Sequence, residues 1–150
     1  MIRPIAREDL EDCARLFREV FAEPPYRESW SAAQALTYLE RFWRFDPEHC
    51  LLVLDGEEVT GAMFGYCYPW RNRVNYYIQE LFVRADRRRS GRGRGLIRHL
   101  LDSLGGTRAS ISLIANKTTP AARFYEELGL RQHQRYKFYA GTVRAETIRR

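Results

Sequence analysis

Lysine is almost missing from this 150-residue chain: Lys117 and Lys137 are the only two, so nearly all of its 25 basic residues are arginine. Neither lysine follows a glycine, which excludes the Gly-Lys pair of a Walker-type phosphate loop. Cysteine is scarce too. Cys13, Cys50 and Cys67 are odd in number and share no metal or redox spacing, so they read as reduced core thiols of a cytoplasmic protein rather than a disulfide framework. No apolar run approaches the ~18 residues of a membrane span. Met1-Ile2-Arg3-Pro4 is not a basic segment leading into an apolar one, so no secretory signal is expected. His49, His99 and His133 fall in unrelated segments without metal-like spacing, and no metal is expected. A Gly-x-Ser-x-Gly elbow and a Cys–His pairing are both lacking, which argues against a covalent nucleophile.

What is present is an ordinary globular composition, 45% hydrophobic and 13% aromatic, at the length of one domain spanning 1–150. The net charge is +6, unevenly placed. Arg84, Arg87, Arg88, Arg89, Arg92, Arg94 and Arg98 crowd one tract against the lone Asp86. Such a tract wants a polyanion: nucleic acid, an anionic membrane or a phosphorylated cofactor.

The flanking pattern decides among them. Met1–Ile5 reads as a first strand, and residues 8–21 carry Leu10, Cys13, Ala14, Phe17, Val20 and Phe21 at helical spacing. Pro24-Pro25 ends that helix, and a second begins after the N-cap Ser31. Strands are predicted over 50–54, 59–68 and 74–83, with Asp55-Gly56 as a hairpin turn and 69–73 as the next connection. A helix through Leu96–Leu104, a strand at 109–115, a short helix at 121–128 and a last strand at 134–140 follow. The order predicts an α/β (α+β) fold: a mixed sheet covered by helices.

The long third strand runs straight into Arg88-Arg89-Ser90-Gly91-Arg92-Gly93-Arg94 and then a helix. A helix N-terminus offers unpaired N–H groups and partial positive charge, and glycines at 91 and 93 let backbone approach an anion closely. Gly95 would let the helix pack tightly on the sheet. A pyrophosphate suits this combination. The dinucleotide fingerprint does not fit, because its third glycine is misplaced and the strand does not open a βαβ repeat. The plainer alternative is a charged surface turn, which the flanking strand and helix make the weaker reading.

This segment resembles the cofactor motif of the GNAT family of N-acetyltransferases, Arg/Gln-x-x-Gly-x-Gly/Ala after a strand ending in Val, here Val83. A later Phe124-Tyr125-Glu126-Glu127-Leu128-Gly129-Leu130 is similar to the family's Tyr-Glu-x-Leu-Gly-Phe signature, with Leu130 in place of Phe. The resemblance covers almost the whole chain. It implies an acetyl-CoA-dependent N-acetyltransferase with a mostly antiparallel sheet, splayed at the cofactor site, and helices on both faces. Leu81, Phe82 and Val83 would face the pantetheine arm, and Arg88, Arg89, Ser90, Gly91, Arg92, Gly93 and Arg94 the pyrophosphate. Where the family often carries Asn this chain has Thr118, and Asn116 two residues earlier is the substitute considered.

Acetyl transfer to an amine needs a base, an oxyanion donor and an acid for the departing thiolate. Strict alternation places Glu80 on the face of Ile78 and Phe82, where apolar neighbours would raise its pKa toward the useful range. A bulge would change that orientation. The alternative is a rim carboxylate paired with an arginine. Spacing alone makes Tyr125 a packing residue; the resemblance makes it the acid, and a phenol with a pKa of ~10 suits a thiolate leaving group. A backbone N–H near Leu81 or Phe82 would be the oxyanion donor. By analogy with the fold, the acceptor, a small-molecule amine or a peptide amine, would enter beside the loop 23–30. Tyr26, Trp30 and Trp70 are the substrate-binding candidates there, against the simpler role of stapling that loop to the core.

Two other classes compete: a catalytically silent acetyl-CoA sensor, and an Arg/Gly nucleic-acid module. The second lacks the signatures of known RNA folds, and Tyr76, Tyr77 and Phe82 are the only aromatics available on the adjoining strand. The composition leaves a homodimer open and points to no membrane partner.

Overall fold

The computed structural model describes residues 1–106 and 109–148. These fall into two compact units, Met1–Ala115 and Asn116–Arg150. The first holds β1 (Ile2–Pro4), α1 (Leu10–Ala22), α2 (Ala32–Phe45), β2 (Leu51–Asp55), β3 (Glu58–Trp70), β4 (Arg73–Val83), α3 (Arg92–Ser103) and β5 (Ser110–Leu113). The sheet runs β1-β2-β3-β4-β5 in space, antiparallel through β4, with β5 parallel to β4. The second unit holds α4 (Pro120–Glu127) and α5 (Ala145–Ile148).

Alternation along the strands makes two apolar faces. Leu52, Ala62, Phe64 and Phe82 face α1 and α2, where they join Phe17, Leu39 and Cys13 in one core. The intervening Leu51, Val53, Met63 and Ile78 are also buried, and α3 contributes Leu96, Ile97 and Leu100. A Cβ at Gly95 would lie 3.0 Å from Ile2 Cδ1, so the missing side chain lets α3 seat closely against β1. At the start of α2, Ser31 Oγ accepts from Gln34 N (3.0 Å) and Gln34 Oε1 accepts from Ser31 N (2.9 Å). This reciprocal cap stabilises the helix by about 1 kcal/mol.

Asp46, just beyond α2, ties that helix to β3. Its carboxylate accepts from His49 Nδ1 (2.8 Å) and from the backbone N–H of Cys67 (2.9 Å). Sequence spacing gave no hint of this cluster, in which the ligand-type atoms of Asp46, His49 and Cys67 lie within 4.8 Å of one another. Burial raises all three thiols, Cys50 to about 12 and Cys67 to about 11, so the cysteines stay protonated.

Two expectations are corrected. The predicted connection 69–73 is a two-residue turn, Arg71-Asn72, because Pro69 and Trp70 pair with Val74 and Arg73. The β2 ladder stops at Met63, so Pro69 sits where β3 needs no N–H on that side. The predicted strand 134–140 does not form. Tyr136, Phe138 and Tyr139 are exposed at 72%, 70% and 85%, and an alternating segment without a ladder partner has nothing to fix it as a strand.

Candidate active site

β4 carries one extra residue against β3. Phe64 pairs with Glu80 and its neighbour Gly65 pairs with Ile78, leaving Gln79 without a cross-strand partner. Such a bulge resets the alternation. Glu80 therefore shares a face with Phe82 and Tyr77, whereas Ile78 points to the opposite side. The expectation that Glu80 and Ile78 lie on one face is thus corrected. Gly65 is what the bulge requires, because a Cβ there would strike the carbonyl oxygen of Tyr77 and the ring of Tyr76.

The bulge brings two consecutive side chains to one hydroxyl. Tyr38 Oη donates to Glu80 Oε2 at 2.6 Å and accepts from Gln79 Nε2 at 2.8 Å. Burial raises the Glu80 pKa to about 7; the Tyr38 hydrogen bond opposes that rise and the charge of Glu28 adds to it. Burial also raises the Tyr38 hydroxyl, with the Glu80 charge second, so Tyr38 stays a donor. Neither Tyr38 nor Gln79 carried a motif. A tyrosine two helical turns from Ser31 announces nothing until tertiary packing sets it opposite Glu80.

Beyond Glu80 the sheet opens. The β4–β5 ladder ends at Ile78 and Leu113, so residues 80–83 keep β3 on one side and, among the described residues, have no strand partner on the other. That open edge, which includes Leu81, Phe82 and Val83, leads into the Arg/Gly turn. Gly91 has φ +84°, a conformation L side chains rarely adopt, and nothing lies within 4 Å of where its Cβ would be. Gly95 N donates to Gly91 O at 2.8 Å, which begins α3. The N–H groups of the first turn therefore precede the helical ladder.

The arginines of this tract divide into two sets. Arg87 Nε (3.0 Å) and Arg92 Nη2 (2.5 Å) both donate to Asp55 Oδ2. Arg92 also reaches Thr60 Oγ1 (3.2 Å) and Ser90 Oγ (2.7 Å), while Ser90 donates to the carbonyl of Arg87. Arg84 is held by Asp86 (2.7 Å) and Glu58. Hydrogen bonds from Arg87 and then Arg92 lower the Asp55 pKa. Arg88 and Arg89 are exposed; Arg88 Nε makes a 3.3 Å bond to Val83 O, and Arg89 adopts φ +61°. The sequence showed Asp86 as the tract's counter-ion. It did not show Asp55 and Glu58, which the β2–β3 hairpin brings across. An exposed positive-φ glycine at a helix start, two exposed guanidinium groups and an open strand edge fit a pyrophosphate with an extended arm.

Of the acceptor-side candidates, Trp30 packs on Phe17 (5.0 Å) and Tyr38 (5.2 Å), and Tyr26 on Phe21 (4.8 Å). The loop is thus stapled to the core. Trp30 also lines an open cleft of about 590 Å³ with Ser29, Ala33, Gln34, Thr37 and Tyr38. Trp70 stands at the β3–β4 hairpin, 52% exposed, and is not among the cleft residues.

In the second unit Tyr125 is buried on α4, 5.2 Å ring to ring from Phe124. Asn116 Oδ1 accepts from the Thr118 backbone N–H (2.9 Å) and Oγ1 (2.7 Å). Asn116 and Thr118 therefore build one turn ahead of α4, and the Asn116 carbonyl side closes it.

A family model described as the acetyltransferase (GNAT) family matches residues 10–130. The chain belongs to this GNAT family. No curated protein matches the sequence. Among solved structures, a Vibrio cholerae integron cassette protein aligns with TM-score 0.76 at 18% identity, covering 99% of this chain and 95% of its own. Ard1 from Thermoplasma volcanium aligns with TM-score 0.65 at 24% identity, covering 86% and 80%. An aminoglycoside 6'-N-acetyltransferase from Acinetobacter haemolyticus aligns with TM-score 0.69 at 16% identity, covering 96% and 99%. At these identities the likeness is one of fold, and it places the chain's mixed five-stranded sheet within the GNAT architecture. The family match makes the protein an acetyltransferase. Among the described residues no helix is long and apolar enough to cross a membrane.

Proposed function

We propose that this GNAT protein moves an acetyl group from acetyl-CoA to the primary amine of a small molecule by direct attack of the amine. The observation that carries the reading is Glu80: a largely buried carboxylate, pKa about 7, beside an open strand edge that leads into the positive-φ Gly91 turn at the start of α3.

When bound, acetyl-CoA supplies an activated thioester. The backbone of Leu81–Val83 and the turn Arg88–Arg94 are the proposed contacts for its arm and pyrophosphate. Exposed Arg88 and Arg89 supply charge, and Asp55 holds the turn's shape through Arg87 and Arg92. The Glu80 carboxylate takes the proton from the acceptor ammonium, and a pKa close to working pH makes that transfer efficient. Tyr38, donating to Oε2, fixes the carboxylate's orientation. A backbone N–H at Leu81 or Phe82 is the proposed donor to developing negative charge. Tyr125 is the proposed proton donor to the departing sulfur.

A thermal-shift titration with acetyl-CoA, with an RNA oligonucleotide as control, tests the cofactor. Ligand at a hundred times its dissociation constant adds about 2.7 kcal/mol to stability. A shift with acetyl-CoA alone supports the reading. A shift with RNA alone, fading in salt, overturns it in favour of polyanion binding by the arginine tract.

A further inference from the structure

An ionised carboxylate only accepts hydrogen bonds, and a phenol carries one proton. With Tyr38 Oη 2.6 Å from Glu80 Oε2, that proton is committed to Glu80, and whatever else bonds the phenol oxygen must donate. Gln79 does so, its amide Nε2 lying 2.8 Å from Tyr38 Oη. The three groups form a one-way chain, amide to phenol to carboxylate. Each link strengthens the next, because an oxygen that accepts becomes a better donor. The Gln79 hydrogen bond accordingly lowers the Tyr38 pKa against the rise from burial.

The fold holds this chain from both ends. Gln79 is the residue that the β4 bulge leaves without a cross-strand partner, and strict alternation would point it away from Glu80. The bulge is what lets two consecutive side chains converge. On the helix side the Tyr38 ring is packed by Trp30 (5.2 Å), Phe42 (5.3 Å) and Phe17 (5.8 Å), which leaves it little room to swing. Glu80 is faced by Tyr38 from α2, by the charge of Glu28 from the loop ahead of α2 and by Tyr77 along β4. From β3 it is faced by Phe64. Among the described residues nothing donates to its other oxygen, Oε1.

We infer that Gln79 is a positioning residue of the acetyl transfer: it holds the Tyr38 proton on Glu80 Oε2 and so reserves Oε1 for the proton of the acceptor ammonium. In that step the ammonium N–H bond breaks, its electron pair stays on the amine nitrogen, and the new O–H bond forms on Oε1. The Tyr38 bond to Oε2 is kept throughout. The reversed arrangement, a protonated Oε2 donating to Tyr38, would compete with the Gln79 amide for the phenol oxygen. The inference rests on the reading of Glu80 as the base and adds the group that orients it.

Two variants test it. Gln79→Met keeps the side-chain length and removes the donor, and Gln79→Glu keeps the shape but sets an acceptor against Tyr38. Glu80 is titrated by 13C NMR of labelled glutamate carboxyls, assigned with Glu80→Gln, beside the pH–rate profile. The Glu80 midpoint should rise by about 0.5 in Gln79→Met, the influence of one modest hydrogen bond, and further in Gln79→Glu. In a Tyr38→Phe background Gln79→Met should move it no more, because the chain is already cut. A midpoint unmoved or lowered in both variants overturns the inference. So does a Gln79→Met shift of the same size with and without the Tyr38 hydroxyl. A carboxyl midpoint that moves while the rate profile stays fixed overturns the reading of Glu80 as base, and the place of Gln79 in the reaction with it.

Discussion

Tyr38 Oη donates a 2.6 Å hydrogen bond to Glu80 Oε2 across 42 residues of sequence, joining α2 to the bulged strand β4. Glu80 titrates under two opposed influences, burial raising its pKa and this hydrogen bond lowering it. The acetylation rate should therefore rise with pH and level off above about 7, as Glu80 becomes ionised. Tyr38→Phe removes the lowering influence, so the midpoint should move to higher pH. The lost charge-assisted bond should reduce kcat by about tenfold. A pH–rate profile of both proteins checks this, and an unshifted midpoint in Tyr38→Phe removes Tyr38 from the mechanism.

The same carboxylate predicts a stability trend. Its folded pKa lies above the ordinary 4.5, so between about 4.5 and 7 the folded state holds more protons than the unfolded one. Stability contributed by Glu80 falls as pH rises through that window. Melting temperatures of Glu80→Gln against the parent from pH 5 to 8 should diverge in favour of the variant. Parallel curves would contradict the burial of this charge.

Gly65 stands where any side chain meets the Tyr77 carbonyl and the Tyr76 ring. Both obstacles sit in β4, one of them backbone, so the bulge would have to shift. Gly65→Ala should destabilise the protein by about 2–4 kcal/mol, read from urea unfolding. A loss below ~0.5 kcal/mol would mean that the bulge adapts freely.

Gly91 presents the opposite case, with open space but φ +84°. Gly91→Arg should leave the melting temperature within a few degrees of the parent, since the left-handed strain costs only about 1–2 kcal/mol. Acetyl-CoA binding, followed by calorimetry, should be lost as the side chain occupies the turn. Parent-like affinity would dislodge the cofactor from this turn.

Tyr125→Phe keeps the buried ring and removes the hydroxyl. Turnover is expected to fall by about 10²-fold, within the range for a general acid, while acetyl-CoA affinity stays close to that of the parent. An unchanged rate with chemistry limiting would leave Tyr125 with a packing role only.

The amino-acid sequence by itself determined the order of elements, the Ser31 cap, the hairpin at Asp55-Gly56 and the glycine turn after Val83. These are local: a capping hydroxyl, a turn dipeptide or a 3.6-residue stripe acts within a few neighbours. It also singled out Glu80 and the Arg/Gly tract. What local pattern cannot carry is which distant groups meet. Glu80 was assigned a face by counting in twos, and one unpaired residue at Gln79 reversed its relation to Ile78. The arginine tract looked nearly unopposed until the hairpin brought Asp55 and Glu58 to it. The sequence predicts a strand at 134–140, yet no ladder forms there, because strand identity depends on a neighbour supplying hydrogen bonds. Tertiary structure alone decided the bulge, the Tyr38–Glu80 contact and the counter-ions, since each depends on through-space packing between segments tens of residues apart.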